Sequence, residues 1–237
     1  MKLFSALAEK PWLPQQDNVA TDSNSSLSPE LSHELSPELS PERTALRFFL
    51  SVVSVIFFLF IITFLERSQY SDFNALSGEP WLPFTQPTGL WLNSIILLLS
   101  SVALQVSVYS SRKSQMNVTL VGITLGALFA MLFILGQLWV WQQLLDQGYF
   151  MSSNPANSYF YLLTTIHGLH LVGGLFALAK VTLRFWQGVS LEKMSESIEL
   201  CATYWHYLFV LWMLLFGLLA SDPDTYQAIA AMCGFLR

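Results

Sequence analysis

The sequence predicts an all-α integral membrane protein. It is an antiparallel bundle of five transmembrane helices, with the N-terminus cytoplasmic and the C-terminus periplasmic. Three observations predict it. Of 237 residues, 53% are hydrophobic and only 11% are charged, against about 25% charged in a soluble domain. Five apolar runs each reach the ~20 residues needed to cross about 30 Å of hydrocarbon. Short polar connections such as "SSRKSQMN" separate them, and in lipid a backbone that satisfies its own hydrogen bonds is helical.

Residues 1–44 read as a disordered cytoplasmic tail, ahead of a transmembrane domain over 45–237. The segment "SPELSHELSPELSPE" (Ser28–Glu42) is a near-repeat rich in Ser, Pro and Glu. Its recurring prolines oppose a regular helix, and it offers too little apolar surface to offset the entropy of ordering. The opening "MKLFSALAEKPWLP" breaks too soon for the apolar core of a signal peptide. The net charge of -5 comes mostly from this tail, and no basic patch suits nucleic acid.

The five runs are Ala45–Leu65, Thr88–Tyr109, Val118–Leu138, Tyr159–Leu183 and Leu200–Ala220. With the N-terminus inside, nine of the eleven basic residues lie on the cytoplasmic side, and only Arg67 and Arg237 lie outside. That asymmetry is the positive-inside rule. Trp81 and Trp91 fit an interfacial anchor ahead of the second run. Cys201 and Cys233 are 32 residues apart and make neither a disulfide framework nor a thiolate metal cluster.

Four histidines are present: His33 in the tail, and His167, His170 and His206 in apolar runs. A catalytic respiratory core with two hemes and a copper needs about half a dozen imidazoles, so three exclude one. His167 and His170 share a helical face with Gly174. A single heme would need His206 opposite His170; counting the rise per residue, the two lie about 9 Å and about 14 Å from the cytoplasmic interface. The simpler reading is interhelical hydrogen bonding, at about 0.6 kcal/mol per bond.

No carboxylate falls at mid-membrane. Glu66, Asp146 and Glu199 lie at or beyond the ends of the runs. Glu199 precedes the fifth run, where a helix N-terminus would favour it, and shares a face with His206. Lys180 and Arg184, one turn apart, can reach lipid phosphates. Gly122 and Gly126, and the group Gly168, Gly173 and Gly174, would allow close helix approach, while Asn93, Ser100, Ser101, Gln105 and Gln137 suit bundle contacts.

"LTTIHGLHLVGG" (Leu163–Gly174) and "ELCATYWHYLFVLW" (Glu199–Trp212) resemble the two signature helices of subunit III of heme-copper oxidases. The family typically reads T-G-x-H-G-L-H-x-x-x-G in the first. In the second it has Glu, four residues, Y-W-H, and a Trp six residues after the His. His167, Gly168, His170 and Gly174, then Glu199, Tyr204, Trp205, His206 and Trp212, keep that spacing. "LWLNSIILLLSSVALQ" (Leu90–Gln105) is similar to the family's L-N-T-x-x-L-L-x-S-S helix, and "LGQLWVWQQL" (Leu135–Leu144) to its Q-x-x-E-W segment. The similarity covers about 175 residues and all five runs.

The resemblance implies a non-catalytic subunit of a terminal oxidase, in the five-helix bacterial form and in the bacterial inner membrane. Such a subunit carries no heme or copper; those belong to partner subunits. It packs beside catalytic subunit I, holds phospholipid between its helices and supports sustained turnover and proton uptake. The reaction, reduction of oxygen to water with electrons from cytochrome c or quinol, belongs to the complex. Three carboxylates of the family pattern are missing: one in the first run, where Ser51–Phe58 offers only Ser, Val, Ile and Phe, one at Val140 and one at Phe209. Thr165 also replaces a glycine. These losses argue against a proton-antenna role and leave the packing role intact. Two alternatives stay open: a subunit III-like protein of nitric oxide reductase, and a small b-type cytochrome using His170 and His206.

Overall fold

A computed structural model describes residues 41–73, 76, 88–187, 191–232 and 234. The tail up to residue 40, Trp81 and Cys233 lie outside the described residues. Six helices follow in order among the described residues: α1 Pro41–Arg67, α2 Thr88–Arg112, α3 Met116–Asp146, α4 Pro155–Trp186, α5 Leu191–Leu219 and α6 Pro223–Met232. The first five are long and apolar enough to cross a membrane, as the sequence predicts. No strand occurs among the described residues.

The helices outrun the apolar runs because polar residues at their ends are good helix formers or caps. α1 starts four residues early at Pro41, followed by Glu42 in its first turn; proline tolerates a first turn, where its missing N–H has no partner to lose. α4 starts behind the N-cap Asn154, whose side chain accepts from the Ala156 N–H at 3.3 Å, with Pro155 next. α5 starts at Leu191, nine residues before its apolar run. The ten-residue α6, which the hydropathy pattern does not mark, packs on α1. Its Tyr226 is buried and meets Phe64 at 5.4 Å, and it donates its hydroxyl to the Leu218 carbonyl at 2.9 Å.

Two of the tight connections close in the same way. After α2, the Gln115 N–H reaches back to the Ser110 carbonyl and the Ser114 N–H to that of Ser111, both at 3.0 Å. After α3, Tyr149 and Gly148 repeat this on Leu144 and Leu145. This is the Schellman arrangement, which needs a left-handed residue. Gly148 takes it at φ 86, and Ser114 takes it at φ 56 without glycine's freedom.

α2 is central. It packs along α3 and α5; α4 packs on α5 and α3, and α1 lies across α4 and α5. The buried positions of α2 include Asn93, Leu97, Ser100, Leu104, Ser107 and Ser111, a three-four spacing that keeps one seam facing its neighbours. Opposite, α3 buries Gly122, Gly126, Ala130, Phe133, Gln137, Val140 and Leu144. A Cβ on Gly122 would lie 2.9 Å from the Ala103 carbonyl oxygen and the Ser107 Cβ, and one on Gly126 2.8 Å from Leu104 Cγ. Small residues thus let the backbones approach, and Ser107 uses the closeness to donate to the Thr119 carbonyl at 3.0 Å.

Candidate functional site

The signature residues gather on α5 and on the faces of α2 and α4 that pack against it. Trp205, Trp212 and His167 are fully buried. Each indole donates to a serine of α2: Trp205 Nε1 to Ser100 Oγ at 2.8 Å, and Trp212 Nε1 to Ser94 Oγ at 2.9 Å. Ser100 passes the chain on, donating to the Gly126 carbonyl at 2.7 Å; Ser94 donates within its own helix, to the Leu90 carbonyl at 2.8 Å. One relay therefore fastens α5 to α2 and α2 to α3. Where the environment is apolar, an indole N–H without a partner is costly, so the serines are structural necessities. Ser94 went unmarked in the sequence, although it stands seven residues before Ser101 and so on the same seam.

His206 joins the same face of α2. One ring nitrogen, Nε2, meets the Gln105 side-chain oxygen at 2.8 Å, and Nδ1 meets Ser101 Oγ. The amide oxygen can only accept, so Nε2 carries the proton and Nδ1 accepts from Ser101. Ser100, Ser101 and Gln105 thus act as the bundle contacts that their polarity suggests.

On α4, His170 donates from Nδ1 to the Ile166 carbonyl at 2.8 Å and packs against Phe57 and Phe49 of α1 at 5.7 and 6.3 Å. Its own carbonyl accepts from the Tyr204 hydroxyl at 3.0 Å, a cross-link from α5 to α4. His167 points the other way, its ring 5.4 Å from Trp212 and 6.1 Å from Phe133. Three consecutive aromatic contacts, with Phe133 also 4.9 Å from Trp212, fill the space between α3, α4 and α5.

The glycines divide. A Cβ on Gly174 would sit 2.6 Å from Trp205 Cζ3 and 2.9 Å from Tyr204 Cε1, so this position must be glycine for the α5 aromatics to seat. Gly168 and Gly173 differ from the expectation of close approach within this chain: a Cβ on either meets nothing within 4 Å.

Glu199 also departs from expectation. It lies inside α5 rather than at its start, since the helix already begins at Leu191, and the dipole's help fades beyond the first turn. Two arginines hold it instead: Arg112 of α2 at 2.7 Å and Arg43 of α1 at 3.2 Å, with Arg43 also 3.1 Å from Glu196. Three helices are clasped at this end. Lys180 and Arg184 are exposed on α4, and Trp91 packs edge-on to Phe216 at 4.9 Å while remaining about half exposed.

The places of the missing carboxylates hold neutral contacts. Val140 is buried against the Gly89 backbone, where a Cβ would lie 3.3 Å from its Cγ2. Phe209 packs partly buried on the core. In α1, Ser54 and the Tyr207 hydroxyl share a hydrogen bond at 2.9 Å. Among the described residues, no three His, Cys, Asp or Glu side chains converge as a metal site would require. A heme between His170 and His206 would need a free ring nitrogen on each, and both of those on His206 are engaged by α2.

Five membrane-length helices interlocked through indole–serine and histidine–glutamine pairs define a multi-pass membrane protein whose polar groups serve its own assembly. The family model described as "Cytochrome c oxidase subunit III" matches residues 42–220, and the chain belongs to that family. A "Cytochrome c oxidase subunit 3" of Synechocystis sp. is 30% identical over 207 residues, 85% of this chain and 84% of the relative. A "Probable cytochrome c oxidase subunit 3" of Mycobacterium tuberculosis is 28% identical over 152 residues, 62% of this chain and 74% of the relative. Membership makes this chain a subunit III component of a heme-copper oxidase, associated with the other subunits of that complex. Neither the nitric oxide reductase reading nor the b-type cytochrome is favoured.

Proposed function

We propose that this chain flanks catalytic subunit I of its oxidase, keeps that subunit intact through turnover and holds phospholipid between its helices. The reading puts the N-terminus on the cytoplasmic side of the bacterial inner membrane, as the basic residues favour. The observation that carries it is the relay Trp205–Ser100–Gly126. It ties up the Trp205 indole inside the chain, while apolar outer faces, such as Leu169, Val172 and Phe176 of α4, are left to partner or lipid. On this reading His167, Trp205 and Trp212 shape the interface indirectly, by holding the helices that form it.

Lipid has a place to lie. A cleft of about 380 Å³ opens between α1, α4 and α5, lined by Phe49, Gly173, Gly174, Ala177, Leu200 and Tyr204. Gly173, Ala177, Lys180 and Arg184 follow one stripe of α4 at three-four spacing. An acyl chain in the cleft would bring its phosphate to the two cations.

The oxidase purified with and without this chain tests the reading. We expect an unchanged heme spectrum and an activity that decays faster over successive turnovers once the chain is gone. Identical time courses would overturn the stabilising role. Unchanged phospholipid phosphorus in a K180A/R184A complex would overturn the lipid site.

A further inference from the structure

We infer that a buried water site lies in the seam between α3 and α4, walled by Gln137, Thr164 and His167. His167 is fully buried, yet neither ring nitrogen has a hydrogen-bond partner among the described residues. The same is true of the Gln137 side-chain nitrogen, while its oxygen accepts from Asn93 Nδ2 at 3.4 Å. Buried polar groups are satisfied by protein or by ordered water, so these atoms point to a small polar ligand that the chain itself does not supply.

Register places them together. α3 and α4 run antiparallel, and two ring contacts fix their alignment: Phe133 beside His167 at 6.1 Å, and Trp141 beside Tyr161 at 5.7 Å. Gln137 stands midway between Phe133 and Trp141, four residues from each, and Thr164 midway between Tyr161 and His167, three from each. Gln137, one turn along α3 from Phe133, and Thr164, one turn or about 5 Å along α4 from His167, therefore stand at the same level of the seam. The Trp141 indole N–H, one turn further along, is also unpartnered.

A single water can be satisfied there. Thr164 donates its hydroxyl to the Phe160 carbonyl at 2.6 Å and keeps lone pairs free. A water accepting from the Gln137 N–H can donate one hydrogen to the unprotonated ring nitrogen of His167 and the other to Thr164 Oγ. That gives it three partners, the usual number for buried water. A cation would gain nothing there, since no carboxylate is part of the seam. The site is neutral, and it fixes the ring of His167 against Trp212.

The intact oxidase complex provides the test. A density map fine enough to show ordered water should place an oxygen within hydrogen-bond distance of Gln137 Nε2 and of a His167 ring nitrogen. A direct Gln137–His167 bond, or a seam closed without water, would overturn the inference. Solid-state NMR on histidine-labelled complex gives an independent reading. Water-proton transfer to the His167 ring should be lost in Gln137→Met while that to His206 is retained; His167 transfer unchanged in the variant would contradict the site. In thermal unfolding, Gln137→Met and His167→Phe should each lower the midpoint by several degrees. The double variant should regain part of that loss, whereas strictly additive losses would count against a shared water.

Discussion

Trp205 donates its indole N–H to Ser100, and Ser100 donates in turn to the Gly126 carbonyl, so one side chain of α5 is tied through α2 to the backbone of α3. Ser100→Ala removes the middle of that relay and leaves a buried indole N–H without a partner. We expect a loss of about 1–3 kcal/mol, read as a lower midpoint for release of this chain from the detergent-solubilised complex. Adding Trp205→Phe should cost little through the hydrogen bond itself, because that partner is already lost; a fully additive double variant would show the bond to be unimportant.

Gly174 and Gly168 should behave oppositely. Gly174→Ala puts a methyl 2.6 Å from the Trp205 ring and forces α4 and α5 apart, at about 1–3 kcal/mol for overpacking. Gly168→Ala enters open space and should be neutral or stabilising by about 0.5–1 kcal/mol through helix propensity. Expression level and thermal midpoint of the two variants check this.

The clasp on Glu199 should be weak and salt-dependent. Its partners Arg43 and Arg112 are largely exposed, and such pairs contribute about 0–1 kcal/mol each. Glu199→Gln should lower the thermal midpoint slightly at low ionic strength, with the difference vanishing in high salt. A difference that persists in high salt would mean that Glu199 has another role.

At the opposite end of α1, Arg67 hydrogen-bonds the Asp72 carboxylate, one of the contacts being 2.7 Å. That bond holds the Asp72 carboxyl below its ordinary value of 3.8. A depressed acid stabilises the fold above its unfolded value, and the contribution is lost as pH falls through the lowered folded value. The wild type should therefore lose stability below about pH 4 in a step that Asp72→Asn lacks. Matching acid limbs in thermal scans of both proteins would refute it.

Much of this was legible in the sequence, because hydropathy is local. The five spans follow from runs of apolar residues, and several contacts of α2 from its polar residues Asn93, Ser100, Ser101 and Gln105. What was not legible is pairing across helices. Nothing local tells Trp212 that its acceptor is Ser94, or tells Glu199 that Arg43 and Arg112 converge on it. Nor does spacing separate Gly174, which a neighbouring indole requires, from Gly168 and Gly173, which meet nothing. α6 escaped notice because a ten-residue helix buries mainly one aromatic, Tyr226, and its hydropathy is unremarkable. The motif histidines read alike in sequence, but one is bound to its own backbone, one to α2, and His167 to no described protein group.

The most direct test is affinity purification of this chain from its own membranes in mild detergent, followed by a reduced-minus-oxidised optical spectrum. Membership in the subunit III family predicts stoichiometric heme and copper from co-purifying oxidase subunits, and loss of all absorption when the chain is separated from them. A chain that purifies without an oxidase core, or that keeps a heme spectrum when alone, would contradict the account.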